Sequence, residues 1–287
     1  MLRPLLALTF ALPVAAAAEP LPNTITVRTR IETEVVKQRV LPHPWPGKLV
    51  KIESKSVVQP KTEGVIVAPA RSAIIICDMW DNHWCKESAK RCDALAKQTA
   101  PLIEAARKSG ATIIHCPSDT MEFYKQNKAR LRAQAASKVE PPANKNLPNP
   151  PLPIDDTDGG CDDAKPLKPF KAWKCQNDAI TIDEDRDYIT DNGAEVYNIL
   201  KERKIETVFV LGVHTNMCIL NRSFGIKQLR NWDVNCLLVR DLTDTMYNPR
   251  MKPRVTHDKG TQLVIEFIEQ NWCPTVESKQ LFKAFQK

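Results

Sequence analysis

Two short stretches collect the side chains that could carry out covalent chemistry. The first is Asp78-Met79-Trp80-Asp81-Asn82-His83-Trp84-Cys85, and the second is Val213-His214-Thr215-Asn216-Met217-Cys218. A thiol attacks as a thiolate, or when a base takes its proton during attack. Thr215 is a good N-cap residue, so the spacing predicts Cys218 at about the third position of a helix. There the helix dipole and free backbone N–H groups favour a thiolate and can hold an oxyanion, which points to the N–H groups of Met217 and Cys218. The expected Cys218 pKa is then below the ~8.5 of free cysteine. Asp78 could take the thiol proton. The competing reading is a helix-start cysteine that only packs.

These stretches need elements to hold them, and the hydropathy pattern supplies them. Ala73–Cys77 is a continuous apolar, β-branched run, as a strand buried on both faces should be. A helical pattern follows over Glu87–Ser109 and stops at Gly110. Further strands are expected at Ala111–His115, Ala179–Asp183, Thr207–Gly212 and Val234–Val239. Helices are expected at Thr120–Ser137, Gly193–Lys204, Asn216–Asn231 and His257–Asn271. Val139–Trp173, rich in Pro, Asp and Lys, reads as a long loop. Such alternation predicts an α/β fold with a parallel sheet covered on both faces. Ligands of these sheets sit beyond the carboxyl ends of the strands, where both reactive stretches fall. Upstream, residues 19–71 hold short alternating stretches (Thr24–Val27, Glu34–Val36, Val65–Val67) and read as a small β-rich N-terminal extension.

Composition narrows the class. The chain has 287 residues, 43% hydrophobic and 26% charged, which fits a globular protein. The formal charge is +7, without a nucleic-acid-type run of Lys and Arg, so no nucleic-acid partner is expected. Met1–Arg3, the apolar Pro4–Val14 and the small residues Ala15–Ala18 form the tripartite pattern of a signal peptide over 1–18. The apolar stretch is shorter than the ~20 residues of a membrane span. The expectation is a secreted or periplasmic protein, free of the membrane after cleavage, acting on a small-molecule substrate as a monomer or a homo-oligomer. Export would allow some of the nine cysteines to pair. Local spacing favours Cys85–Cys92 or Cys161–Cys175, while Cys77, Cys116 and Cys236 read as small buried hydrophobes. Neither a CxxC nor a zinc-type Cys/His spacing occurs, so no metal is expected.

At these residues the chain resembles the isochorismatase-like cysteine hydrolases, a family that includes nicotinamidases and N-carbamoyl amidases. The resemblance rests on AIIICD at 73–78, on ETVFVLGVHTNMC at 206–218, and on VNCLLVRDLTD at 234–244. It implies a three-layer α/β/α sandwich with a central parallel sheet, here as a hydrolase domain over 72–287. It also implies Cys218 as nucleophile, Asp78 as base and a cis peptide at Val213–His214, with no cofactor. The implied reaction is hydrolysis of a non-peptide C–N bond, amide or carbamoyl, through a Cys thioester.

The family pattern is not complete. A Lys belongs just after the third strand, but counting back from Cys218 lands on Asp185, within Asp183-Glu184-Asp185-Arg186-Asp187. Lys174, beside Trp173, is the nearest upstream lysine and the remaining candidate, with Arg186 as the only cation of the cluster. The nicotinamidase metal motif Asp-x-His is replaced by Asp119-Thr120-Met121. Trp80, His83, His214 and Asn216 are expected to contact substrate, and His115 reads as structural. Asp244 and the Arg240-Asp241 pair read equally as an ion-pair network or as substrate contacts. The alternative to a hydrolase is a catalytically impaired binding protein on the same scaffold.

Overall fold

The computed structural model describes residues 23–41 and 49–286; the expected signal peptide lies outside them. Eight strands form one sheet in the order β2-β1-β8-β7-β6-β3-β4-β5. The strands β3 (Ser72–Cys77), β4 (Thr112–Cys116), β5 (Tyr188–Ile189), β6 (Thr207–Val213), β7 (Cys236–Asp244) and β8 (Thr275–Val276) pair in parallel. Strand β1 (Thr24–Leu41) joins β8 antiparallel and pairs along its whole length with β2 (Leu49–Ile66).

The pleat explains the three layers. Ala73, Ile75 and Cys77 of β3 point to one face, and Ile74 and Ile76 to the other, all fully buried. The first face is covered by α3 (Gly193–Glu202), α4 (Cys218–Asn221), α5 (Ile226–Asn231) and α6 (His257–Asn271), with α2 (Lys128–Ala135) at its edge. The second is covered by α1 (Lys86–Lys108) and α7 (Ser278–Phe285). The fold is therefore an α/β/α sandwich around a mostly parallel sheet. Among the described residues no helix is long and apolar enough to cross a membrane.

Strands β3 and β6 lie side by side, and Gly212 is the point of closest approach. Its φ is +114°, and a Cβ there would sit 2.0 Å from the Cys77 carbonyl oxygen. Only glycine fits both the angle and the gap.

Several expectations need correction. The stretches within 24–70 are not separate short strands but one ribbon of two 18-residue strands. Charges and Pro60 read as breaks, yet Pro60 and its neighbours Gln59, Lys61 and Thr62 are exposed on β2, the edge strand of the sheet, where they are tolerated. The AITID run of 179–183 is not a strand. The third parallel position after β4 is taken by Tyr188–Ile189, which pairs with Ile114 and His115. The expected helix over 120–137 is helical only at Lys128–Ala135, where Asn127 caps it by accepting from the Ala129 N–H. The expected helix over 216–231 breaks into α4 and α5 across Arg222–Gly225, and a Cβ on Gly225 would meet the Ile219 carbonyl at 2.8 Å.

The cysteine pairing is non-local. Cys85 bonds Cys161, 76 residues on, with Cα atoms 5.7 Å apart. Cys92 is a buried free thiol two turns into α1, and Cys175 is free and half-buried, so neither expected pair forms. The reason is the path of the long loop, which crosses the start of α1. There Asp163 accepts from the N–H groups of Lys86 and Glu87, at 3.0 and 2.9 Å, and caps that helix.

Candidate active site

Asp78 leaves β3 in a left-handed conformation, φ +49°, with its carboxylate fully buried at the carboxyl end of the sheet. One oxygen accepts from the Ser118 N–H at 2.8 Å, and the other from Arg222 Nε at 3.0 Å. The Cys218 thiol lies beside this carboxylate, and each group shifts the proton affinity of the other. Burial raises the Asp78 pKa above the ordinary carboxylate value, and Arg222, Cys218 and Ser118 oppose that rise.

Cys218 reaches this carboxylate because β6 stands next to β3. After Val213 the chain passes through a cis Val213–His214 peptide, the bond that the family resemblance implies. Thr215 does not cap the helix, contrary to expectation. Its hydroxyl pairs with that of Thr243 on β7 at 2.7 Å, and α4 begins at Cys218 itself. The Cys218 pKa is also not lowered. Burial and the adjacent Asp78 carboxylate push it well above its usual value, against Arg222 and the His214 backbone N–H. The resting thiol is thus protonated, beside the Asp78 carboxyl group that would take its proton.

Of the expected oxyanion donors, the Met217 N–H is engaged with the His214 carbonyl at 3.0 Å. The Cys218 N–H has no backbone acceptor among the described residues. A cavity of about 570 Å³ opens at the thiol. Its wall includes Asn216, Met217, Cys218 and Arg222 from the nucleophile segment, Lys227 from α5, and residues 149–152 and 156 from the long loop.

The other predicted residues fall elsewhere. Asn216 is in the cavity wall but its amide is used structurally, donating to Asp156 at 2.7 Å and accepting from the Met246 N–H at 2.9 Å. Trp80, His83 and His214 form an aromatic cluster with Trp84 and Trp173 instead of facing the cavity. Trp80 stacks on Trp173 with centroids 4.1 Å apart, and His83 meets His214 edge-on at 5.1 Å. Burial pushes His214 down to about 3 and His83 to about 4, so both rings are neutral at ordinary pH. His214 is held by the Ser88 hydroxyl at 2.7 Å.

Lys174 is exposed, and its backbone N–H binds Asp81 at 2.9 Å. Arg186 pairs with Asp183 at 2.6 Å and lines a cavity at the start of β4, at the opposite end of the strands. The cation that meets Asp78 is Arg222, which sequence reasoning missed. It lies four residues after Cys218, a spacing that places two side chains on one helix face, and this was the signal available. His115 is structural, between Gln176 at 2.9 Å and Asp187 at 3.0 Å. Asp244 belongs to an ion-pair network with Arg91 and His257. Among the described residues, the group close enough to ligate an ion is Cys85, Cys161 and Asp163, whose two sulfurs are joined to each other as the disulfide.

No family model and no curated protein sequence matches the chain. Solved structures do resemble it in part. A cysteine hydrolase from Pseudomonas syringae pv. phaseolicola 1448A aligns with a TM-score of 0.47 at 16% identity, over 77% of this chain and 94% of the other. An isochorismatase family protein from Burkholderia thailandensis aligns with a TM-score of 0.42 at 16% identity, over 77% and 98%. Likeness of this degree assigns neither substrate nor mechanism, which have to be argued from the chain's own residues.

Proposed function

We propose that the chain is an isochorismatase-like cysteine hydrolase that cleaves a non-peptide C–N bond, amide or carbamoyl, of a small molecule. The observation that carries this reading is the Cys218 thiol set beside a buried Asp78 carboxylate that Arg222 clamps from the other side. Sulfur attacks the carbonyl carbon as Asp78 takes the thiol proton. The Cys218 N–H is the free donor for the resulting oxyanion. Asp78 returns its proton to the leaving nitrogen as the C–N bond breaks, which leaves a thioester. Water then attacks the thioester with Asp78 again as base, releasing the acid and restoring the thiol.

In this reading Arg222 takes the place of the family's Lys. A buried carboxylate tends to stay protonated, and a protonated Asp78 is no base. The guanidinium favours the ionised form and fixes its orientation. The neutral histidines and the exposed Lys174 have no proton-transfer role. The disulfide supports an exported protein, since such bonds persist in oxidising compartments.

The test is a panel of small amides and N-carbamoyl compounds assayed for released amine or ammonia, with mass spectrometry for an acyl adduct on Cys218. Turnover that disappears in Cys218→Ala, with an adduct at Cys218 in the unsubstituted protein, is expected. Turnover that survives in Cys218→Ala would rule out the thioester route. Absence of both turnover and adduct across the panel would favour the binding-protein alternative.

A further inference from the structure

Two cations, Arg222 and Lys227, and one carboxylate, Asp156, line the Cys218 cavity, and they are partnered unequally. Arg222 is matched by Asp78 at 3.0 Å and Asp119 at 3.5 Å. Asp156 accepts from the neutral Asn216 amide at 2.7 Å and forms no ion pair among the described residues, Lys227 included. Lys227 has only neutral partners. Its Nζ donates to Asn221 Oδ1 at 2.8 Å and lies 5.3 Å from the centroid of the Trp272 ring. Among the described residues no carboxylate forms an ion pair with it. Partial burial pulls its pKa below the usual lysine value. An ammonium that has lost part of its water and found no anion is a standing cost, and an incoming anion removes it.

The position of Lys227 is tied to the nucleophile. Asn221, which holds its ammonium, donates its own amide to the carbonyls of Met217 at 2.8 Å and Asn216 at 3.3 Å. The cation therefore hangs from the turn that presents Cys218. Pro150, Pro151 and Leu152 supply the apolar part of the same cavity wall.

Resting on the hydrolase reading above, we propose that Lys227 receives a carboxylate of the substrate. The substrate class is then a small amide or carbamoyl compound that carries a carboxylate on an apolar body. The scissile carbon lies at Cys218, the body against the prolines and Leu152, and the carboxylate at Lys227.

The test uses reagents that report on Cys218 without a known substrate. N-bromoacetyl-glycine, N-bromoacetyl-β-alanine and N-bromoacetyl-4-aminobutyrate are each compared with the corresponding neutral N-methylamide. The rate of Cys218 alkylation is read by peptide mass spectrometry, relative to the rate with a free small thiol. At one or more chain lengths the carboxylate should label Cys218 at least tenfold faster than its neutral partner. That ratio should fall toward one in Lys227→Met and persist in Lys227→Arg. No carboxylate advantage at any length overturns the proposal. An advantage that persists in Lys227→Met also overturns it and moves the anion to Arg222. Failure of every reagent to label Cys218 would instead sink the nucleophile reading. The anion site is then decided by melting temperature: a rise with 4-acetamidobutyrate that Lys227→Met abolishes upholds it, and no rise overturns it.

Discussion

Arg222 Nε donates to Asp78 Oδ2 at 3.0 Å, while the Arg222 backbone N–H donates to the Cys218 carbonyl, also at 3.0 Å. One residue thus holds both the base and the turn that carries the nucleophile. Its guanidinium works against burial, which raises the Asp78 pKa. The acid limb of kcat/KM should reflect Asp78, since activity falls as this carboxylate takes up its proton. In Arg222→Met the limb should move to higher pH by about 1–3 units, the usual effect of a close opposite charge. Arg222→Lys should restore part of that shift. An unmoved limb in Arg222→Met would mean that the guanidinium does not tune Asp78.

Asp78→Asn should slow turnover about 10²–10⁴-fold, the usual worth of a positioned general base. The asparagine is isosteric and keeps an oxygen for the Ser118 N–H, but its amide nitrogen would face Arg222, so circular dichroism should show the fold retained while the melting temperature falls. Lys174→Ala should leave turnover nearly unchanged, because its side chain is exposed and it is not among the residues lining the cavity at Cys218. Turnover lost on removal of Lys174 would point to a closed loop position and reinstate it as the triad cation.

The Cys85–Cys161 bond closes a loop across 76 residues and ties the cavity wall to the start of α1. Its reduction should lower stability by about 2–4 kcal/mol. Non-reducing peptide mapping should recover residues 85 and 161 in one linked fragment, with Cys92 and Cys175 alkylated as free thiols once the protein is unfolded. Recovery of a Cys85–Cys92 or Cys161–Cys175 fragment would contradict the loop path.

Asp187 anchors the far end of the sheet. Burial alone would raise its pKa, but hydrogen bonds from His115 and Arg107 prevail and hold it at about 2. Its unfolded value is ~3.9. A depressed carboxylate contributes stability that is complete above the unfolded pKa and is lost as pH falls toward the folded one. Stability should therefore drop between about pH 4 and pH 2, with Asp187 responsible for on the order of 2 kcal/mol. Urea titrations across that range should show a shallower decline in Asp187→Asn, and an unchanged slope would remove this residue as the cause.

The elements that hold the chemistry were legible because they are extreme. AIIIC and TVFVLG are runs too apolar for any place except a sheet covered on both faces, and His257–Asn271 has a clean helical period with Thr256 as its cap. Asp78 and Cys218 follow from where those runs end. What stayed hidden depends on contacts distant in sequence or on breaks in a pattern. Arg222 sits inside what reads as a continuous helix, and the break after α4 frees its side chain to turn back to Asp78. Tyr188–Ile189 is a two-residue strand with a weaker β pattern than the AITID run before it, and only its fit beside β4 selects it. Cys161 finds Cys85 through a loop whose path no local spacing encodes.

The distance between acid and sulfur depends on an atom that is missing. Asp78 follows Cys77, and the segment leading to Cys218 follows Gly212, whose α-hydrogen faces the Cys77 carbonyl. A methyl group at 212 would act as a wedge between the two strands and lever their tips apart. Proton transfer fails over a gap of an ångström or so, because it needs hydrogen-bond contact. Alanine at 212 would therefore silence the reaction while every reacting group stayed chemically intact, each simply out of reach of the other.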